Sequence, residues 1–167
     1  MLASHPTARI RAGDVASLAA FLAATGTTGF LGSRSSPSTI SLWYEKLEKP
    51  SFVPPRKAFP IVWTALYGLA AVAGWRIFRR PPSTGRTASL ALWAAQLGLS
   101  GLWPWLFFSK RRIGPALADS ALLLAVTSAF VLAARRVDPV ASKLLLPYVG
   151  WVGFATVLNE EILRRNR

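Results

Sequence analysis

The sequence predicts an all-α integral membrane protein built as a bundle of five transmembrane helices. Three observations support this fold class. Hydrophobic residues make up 52% of the 167 residues, with a mean hydropathy of +0.36, more than a soluble domain of this length usually carries. Five apolar stretches approach the roughly 20 residues that a spanning helix needs. The Lys and Arg residues, which give a net charge of +13, cluster between these stretches.

The five predicted spans cover about residues 15–32, 58–78, 88–108, 113–134 and 144–163. Residues 1–14 are assigned to an N-terminal tail and residues 164–167 to a basic C-terminal tail. The segments that join spans two to five are short, so consecutive helices must lie antiparallel as neighbours. Polar residues at 25–28 interrupt the first stretch and no convincing cleavage site is present, so it is interpreted as a span and not as a signal peptide.

The first connection, residues 33–57, is longer than the others and contains four prolines and the aromatic residues Trp43, Tyr44 and Phe52. Connections of this length are usually functional or disordered. Three aromatic residues argue against disorder. We therefore expect this loop to fold as a lid over one end of the bundle.

Composition excludes several classes of function. The chain has no Cys and a single His, His5, so a thiolate or histidine metal site is not expected. The basic clusters alternate with apolar runs and do not follow one face, which argues against nucleic acid and for contact with lipid headgroups. Eleven cations on the side of the lid against nine on the other favour a cytoplasmic lid, although so small a difference does not settle the orientation.

Three of the seven tryptophans, Trp63, Trp103 and Trp151, lie inside spans with polar companions at helical spacing. The companions are Tyr67 for the first, Gln96 and Ser100 for the second, and Tyr148 and Asn159 for the third. Polar groups in lipid are costly unless they are paired, so they should face inward. Two interpretations remain open: an aromatic ligand cavity with a few polar contacts, or ordinary hydrogen bonding and packing between helices.

Two further features also allow two interpretations. Gly26, Gly29 and Gly32 repeat every third residue. They suit a close helix contact, within the chain or in a homodimer, or they reflect only that glycine is common in membrane helices. Asp119 lies inside the fourth span, where it is either a functional carboxylate paired with a cation such as Arg76 or Lys143, or a charge favoured near a helix N-terminus.

The order and spacing of many residues resemble the TspO/MBR family of tryptophan-rich sensory proteins and translocator proteins. The resemblance covers about residues 29–166. It rests on Trp43-Tyr44-x-x-Leu47-x-Lys49-Pro50-Ser51-Phe52-x-Pro54-Pro55, on Phe59-Pro60-x-x-Trp63-Thr64-x-Leu66-Tyr67, on Gln96-Leu97 through Trp103-Pro104 to Phe107-Phe108, and on Pro147-Tyr148-x-x-Trp151-x-x-Phe154-Ala155-x-x-Leu158-Asn159 ending at Asn166.

This resemblance implies a five-helix bundle, often a homodimer, that binds tetrapyrroles such as protoporphyrin IX. In animal members it also implies binding of cholesterol and benzodiazepine-type drugs. Carried over to this chain, the family's ligand pocket comprises Phe52, Pro54, Pro55, Trp63, Tyr67, Gln96, Ser100, Trp103, Trp151 and Ala155. Trp63 and Trp151 match the tryptophans that are linked in bacterial members to light-dependent porphyrin breakdown.

Three departures from the family pattern limit this transfer. Phe52 and Val53 stand where many members have Trp and a polar residue, and Ser100 replaces the usual Asn. Glu160 and Glu161 stand where animal members carry a Tyr in a sterol motif, so cholesterol is discounted as the ligand.

The expected function is porphyrin binding in an aromatic intramembrane pocket, with a sensory or regulatory role in tetrapyrrole metabolism or stress. No metal or cofactor is expected. The alternative is a light-dependent porphyrin-degrading enzyme, for which only Trp63 and Trp151 are candidates. A transporter of sterol, lipid or tetrapyrrole is less favoured because the sequence shows neither an inverted repeat nor a charged relay. The expected compartment is a bacterial cytoplasmic membrane, with an organellar outer membrane as the alternative.

Overall fold

The computed structural model describes residues 12–35 and 38–167, and the elements in this part of the chain are all helical. The helices are α1 (Ala12–Arg34), α2 (Ser38–Lys46), α3 (Ala58–Phe78), α4 (Thr84–Pro104), α5 (Ile113–Ala134), α6 (Pro139–Leu144) and α7 (Leu146–Arg165). A π-helical segment, Trp105–Ser109, continues α4. The predicted all-α fold class is confirmed.

Five helical stretches in the described residues are long and apolar enough to cross a membrane. They are α1, α3, α4 with its π-helical segment, α5, and α6 together with α7. The last stretch is interrupted at Leu145, two residues before Pro147 in the first turn of α7. Proline fits a first turn because its missing N–H has no partner there in any case. The protein is a multi-pass membrane protein, as the sequence predicts.

The helix ends differ from the predicted bounds in ways that hydropathy does not detect. The third spanning stretch begins at Thr84 and not near residue 88, because the Ser83 side chain caps it by accepting a hydrogen bond from the Arg86 amide. Arg164 and Arg165 belong to α7 and not to a tail, and both pair with Glu161. The segment predicted as a lid loop contains α2. Residues 1–11 of the predicted N-terminal tail lie outside the described residues.

The spanning helices form a ring in which most neighbours pack directly. Helix α1 contacts α3 and α4, α4 contacts α5, α5 contacts α7, and α6 returns to α3. Between α3 and α7 the contact is made by aromatic side chains. The ring centroids of Trp63 and Tyr148 lie 5.8 Å apart, and those of Phe59 and Trp151 also lie 5.8 Å apart.

Small residues permit a close helix approach between α1, α3 and α4. A Cβ atom at Gly74 would lie 2.6 Å from Nε1 of Trp93 and 2.8 Å from Cδ1 of Phe21, closer than nonbonded atoms approach. The Trp93 indole also donates a hydrogen bond to the Ala70 carbonyl at 2.8 Å. Position 74 therefore requires glycine.

The glycines of α1 make contacts within the chain. A Cβ at Gly29 would lie 3.1 Å from the Tyr67 ring, and one at Gly32 would lie 3.3 Å from the Pro104 ring, whereas Gly26 has open space around it. An internal helix contact therefore describes Gly29 and Gly32, whereas nothing lies within 4 Å of a Cβ at Gly26.

Replacing Gly74 by Ala should lower the free energy of unfolding by about 1–3 kcal/mol, because the added methyl group overlaps the Trp93 ring. Gly68→Ala on the same helix is the matched control, since a Cβ there meets nothing within 4 Å. That control should be neutral, or stabilising by up to about 1 kcal/mol. Equilibrium unfolding in mixed micelles measures both, and equal stability of the two variants would contradict the packing described.

Candidate functional site

Five aromatic side chains fill the space between α3 and α7, and we call them the aromatic layer. They are Phe59, Trp63 and Tyr67 of α3 and Tyr148 and Trp151 of α7. Within α3, the Trp63 and Tyr67 rings lie 5.5 Å apart. Edge-to-face and tilted contacts at such distances are the favourable arrangements for aromatic pairs.

Helical periodicity explains how the sequence forms this layer. Phe59, Trp63 and Tyr67 follow one another at intervals of four residues and so share one face of α3. Tyr148 and Trp151 are three residues apart on α7, which places them on one face as well. The interval between Phe59 and Trp63 was a signal in the sequence that would have added Phe59 to the predicted site.

A hydrogen-bond chain fixes one end of the layer to α4. The Ser100 hydroxyl donates to the main-chain carbonyl of Gln96 at 2.8 Å and is also bonded to the Tyr148 hydroxyl. Because the single Ser100 hydrogen is already given to Gln96, the Tyr148 hydroxyl is the donor in the second bond. Ser100, predicted as a ligand contact, therefore serves to join α4 to α7.

Two predicted site residues carry buried polar atoms for which the described part of the chain offers no hydrogen-bond partner. They are the amide of Gln96, with neither its nitrogen nor its oxygen bonded, and Nε1 of Trp151. Gln96 is fully buried. A buried unpaired polar group costs about 1–3 kcal/mol, and such groups are uncommon in native proteins. Both residues thus hold unused hydrogen-bonding capacity in the interior.

Asp119 and Asn159 are also buried polar residues. The Asn159 amide donates to the Ile113 carbonyl at 3.1 Å, which joins α7 to the first turn of α5, while its oxygen has no partner among the described residues. Neither carboxylate oxygen of Asp119 is bonded there. The predicted pairing of Asp119 with Arg76 is wrong, because Arg76 pairs with Asp138 at 3.1 Å.

Trp103 lies in a second aromatic cluster, apart from Trp63 and Trp151. Its ring stacks on Phe107 at 4.8 Å and meets Phe108 edge-on at 5.7 Å. Trp43 of α2 contacts the same Phe107 ring. The π-helical turn after Pro104 sets the direction of the Phe107 and Phe108 side chains. The periodicity of a regular α-helix does not predict such a turn. The predicted site residues therefore divide between two clusters.

The lid contributes one aromatic contact beside the aromatic layer. Phe52 meets Phe154 edge-on at 6.2 Å, and Phe154 lies 5.5 Å from Trp151. Phe52 is 46% exposed, so nearly half of its surface remains uncovered. The other predicted residues nearby are Pro54, which is half-buried, Pro55, which is exposed, and Ala155, which is half-buried one turn beyond Trp151.

Asn166 fastens the lid to the end of α7. Its side-chain oxygen accepts a hydrogen bond from the Glu48 amide at 3.0 Å, and its nitrogen donates to the Glu48 carbonyl at 2.9 Å and to the Ile162 carbonyl at 2.8 Å. In the sequence, Asn166 stands out only as the end of a motif. An isolated Asn at a helix end gives no signal that it binds a backbone 118 residues away.

Two basic residues of the lid, Arg56 and Lys49, are held by contacts within it. Arg56 pairs with Glu45 at 2.7 Å. Lys49 donates to the carbonyls of Glu45 and Leu47, and its nitrogen lies 4.8 Å from the centre of the Tyr44 ring. Burial raises the pKa of Tyr44, and the opposing effect of Arg56 is smaller, so this hydroxyl stays protonated at neutral pH.

These features define a class: a helical multi-pass membrane protein with an aromatic interior under a short helical lid. The pattern of the TspO/MBR family matches residues 19–165, and the chain belongs to this family. It is 37% identical to the tryptophan-rich sensory protein of Cereibacter sphaeroides, over 92% of this chain and 93% of that protein. It is also 37% identical to the pig translocator protein, over 83% of each chain. The tryptophan-rich protein TspO of Chlorobaculum tepidum is 38% identical, over 83% of this chain and 88% of its own.

Asn166→Ala should make the lid easier to open, because both hydrogen bonds to Glu48 are lost. We expect tryptic cleavage after Lys46 in detergent micelles to become about tenfold faster, as for the loss of two bonds of about 0.7 kcal/mol each. Arg167→Ala, which removes the exposed neighbouring side chain, is the control and should leave the rate unchanged. Cleavage at the wild-type rate in Asn166→Ala would show that these bonds do not hold the lid.

Proposed function

We propose that the protein binds a flat aromatic ligand of the porphyrin class between α3 and α7, and that this binding serves a sensory or regulatory role in tetrapyrrole metabolism or stress. The observation that carries the proposal is the aromatic layer, together with the unpartnered polar atoms of Trp151 in the layer and of Gln96, which stands one turn before Ser100 on α4. A few polar groups among aromatic walls are the usual composition of a small-molecule site.

The aromatic contacts indicate how such a ligand would enter. The rings of Trp63 and Tyr148 meet edge-on, with an interplanar angle of 81°, and those of Phe59 and Trp151 meet at 70°. Since side chains and not interlocked backbones join α3 and α7 here, rotamer changes suffice to open a slot between the rings. A planar macrocycle in that slot would replace edge contacts by stacking on ring faces, which favours binding.

Gln96 and Trp151 supply the polar part of the proposed recognition. The Gln96 amide offers two N–H donors and one acceptor, and the Trp151 indole offers one donor. A ligand nitrogen or carboxylate that bonds to them would recover the free energy lost by leaving them unpaired. The sensory role is supported by the relative from Cereibacter sphaeroides, which is named a tryptophan-rich sensory protein.

A second candidate function is light-dependent degradation of the bound porphyrin. The supporting observation is that Trp63 and Trp151 belong to the same layer, where a bound macrocycle would contact both indoles. Under this hypothesis illumination yields a new product, and Phe at either position reduces the product formed per bound porphyrin.

Titration of the detergent-purified protein with protoporphyrin IX, in the dark and then under light, tests the proposal. We expect saturable quenching of tryptophan fluorescence, with affinity reduced in Trp151→Phe. Gln96→Leu should lose about tenfold in affinity yet unfold no more easily without ligand, because no bond within the described chain is lost.

Trp105→Phe is the matched control for this titration. Trp105 is 44% exposed and lies outside the aromatic layer, so the variant should keep wild-type affinity. Unsaturable quenching, identical in all variants, would contradict porphyrin binding at this site.

We also propose that the protein forms a homodimer through the outward face of α4. Small exposed residues follow one another there, namely Ala91, Ala94, Ala95 and Gly98, and a Cβ at Gly98 meets nothing within 4 Å. Small residues let membrane helices approach closely.

Gly98→Leu should convert the dimer to a monomer by light scattering in detergent. Gly150→Leu on exposed α7, where a Cβ likewise meets nothing within 4 Å, should leave the dimer intact. A dimer that persists in Gly98→Leu would rule out this face.

The proposed compartment is a bacterial cytoplasmic membrane. The support is that the relative from the bacterium Cereibacter sphaeroides aligns with 92% of this chain, against 83% for the pig protein.

A further inference from the structure

At the end of α3 away from the lid, three arginines and one aspartate line an open cavity of about 210 Å³. They are Arg76, Arg79, Arg80 and Asp138. Arg79 and Arg80 lie directly after the last residue of α3 and Arg76 in its final turn. Because α3 spans the membrane, this cavity lies at the level of the membrane surface.

The carboxylate in this cavity is fully used by the protein itself. Asp138 caps α6, accepting the amides of Val140 at 2.9 Å and Ala141 at 3.0 Å on Oδ1. Its Oδ2 accepts Arg80 at 2.6 Å, and Arg76 lies 3.1 Å from the same oxygen. Burial works to raise the pKa of Asp138, but the bonds from Ala141, Arg80 and Arg76 outweigh it and hold the pKa below its usual value.

The three guanidinium groups retain both charge and surface. Asp138 is only 1% exposed, whereas the side chains of Arg76, Arg79 and Arg80 are 32%, 43% and 45% exposed. A guanidinium carries five N–H donors, and in Arg76 and Arg80 the bonds to Asp138 come from Nε and Nη2. One carboxylate cannot neutralise two arginines, so positive charge remains at the cavity wall.

The arginines are also held in place before any ligand arrives. Asp138 anchors two of them, and the third, Arg79, pairs with Asp14 at 3.0 Å and lies 4.7 Å from the centre of the Trp75 ring. Counting both carboxylates, the three arginines leave one net positive charge. Fixed planar guanidinium groups match the oxygens of a phosphate with paired hydrogen bonds, at little cost in side-chain entropy.

We propose that the cavity lined by Arg76, Arg79, Arg80 and Asp138 binds a phosphate group. Holding α3 against α6 needs only one of the three arginines opposite Asp138, whereas a phosphate uses the excess charge and the exposed donors. The group can belong to an anionic phospholipid headgroup or to a soluble phosphate, and the two sources share the same recognition chemistry.

The test follows the unfolding temperature of the full-length protein in maltoside micelles, which contain no phosphate. Three probes are titrated at constant ionic strength: dioctanoyl phosphatidylglycerol, dioctanoylglycerol without phosphate, and inorganic phosphate. Saturable stabilisation by a phosphate-bearing probe, and none by dioctanoylglycerol, is expected. Phosphatidylglycerol acting alone identifies a lipid headgroup, and inorganic phosphate acting as well identifies a site open to soluble phosphates.

Variants decide whether the effect arises in this cavity. Arg79→Gln leaves both ion pairs of Asp138 intact and should weaken phosphate binding about tenfold, as expected for one charge-assisted contact. Arg80→Lys keeps the charge but loses the planar donor pair and should weaken binding as well. Arg135→Gln is the control, since it removes an exposed arginine that does not line the cavity and should change nothing.

Three results would overturn the proposal: stabilisation by no phosphate-bearing probe, equal stabilisation by dioctanoylglycerol and phosphatidylglycerol, or equal weakening in Arg135→Gln and Arg79→Gln. The last result would mean that diffuse surface charge attracts the anion. If Arg79→Gln fails to fold, phosphate binding by Arg80→Lys is compared with that by Arg135→Gln instead. Equal weakening in these two variants would overturn the proposal in the same way.

Discussion

The aromatic contact between α3 and α7 is the interaction on which the site depends. In a membrane, backbone polar groups are satisfied inside each helix, so neighbouring helices are held by side-chain packing and by a few hydrogen bonds. On the other sides of the ring, small residues such as Gly74 allow close approach. Between α3 and α7, large rings take that place. In the proposed function, rotamer changes of these rings open the ligand slot, which a close glycine contact would not permit.

Polar residues near the aromatic layer divide into two groups. Ser100, Tyr148 and the amide nitrogen of Asn159 are bonded and join helices to one another. Gln96 and the Trp151 indole are buried without a partner in the described chain. The first group accounts for rigidity. The unpaired polar atoms of the second group lower the stability of the fold and join no helices. We therefore assign them to ligand recognition in the proposed function.

Much of the fold could be predicted from the sequence, because membrane spans depend on length and hydropathy, and these are local properties. The helical lid segment α2 was missed, since its nine residues are too short and too polar to stand out. Spacing groups Trp63 with Tyr67, and their rings lie 5.5 Å apart. Phe59 was left out of the predicted site, although it stands four residues before Trp63. Trp103 follows Gln96 and Ser100 at helical spacing, but its ring contacts with Phe107 and Phe108 depend on the π-helical segment after Pro104, which periodicity does not predict.

The roles of Asp138 and Asn166 depend on partners far away in the chain. Asp138 meets arginines 58 and 62 residues earlier, and Asn166 meets a backbone 118 residues earlier. No local pattern contains such information. Asp119 attracted the prediction of an ion pair because it is a charged residue in a span, whereas the bonded aspartate stands outside the apolar window.

The most direct test of the account is a spectrum of the indole N–H resonances of ¹⁵N-tryptophan-labelled protein, with and without protoporphyrin IX. The seven resonances are assigned by Trp→Phe variants. We expect the resonances of Trp63 and Trp151 to shift most, with that of Trp151 moving in the direction of hydrogen bonding, while those of Trp75 and Trp105 stay in place. Equal small shifts in all seven, or a shift confined to Trp105, would contradict a ligand site between α3 and α7.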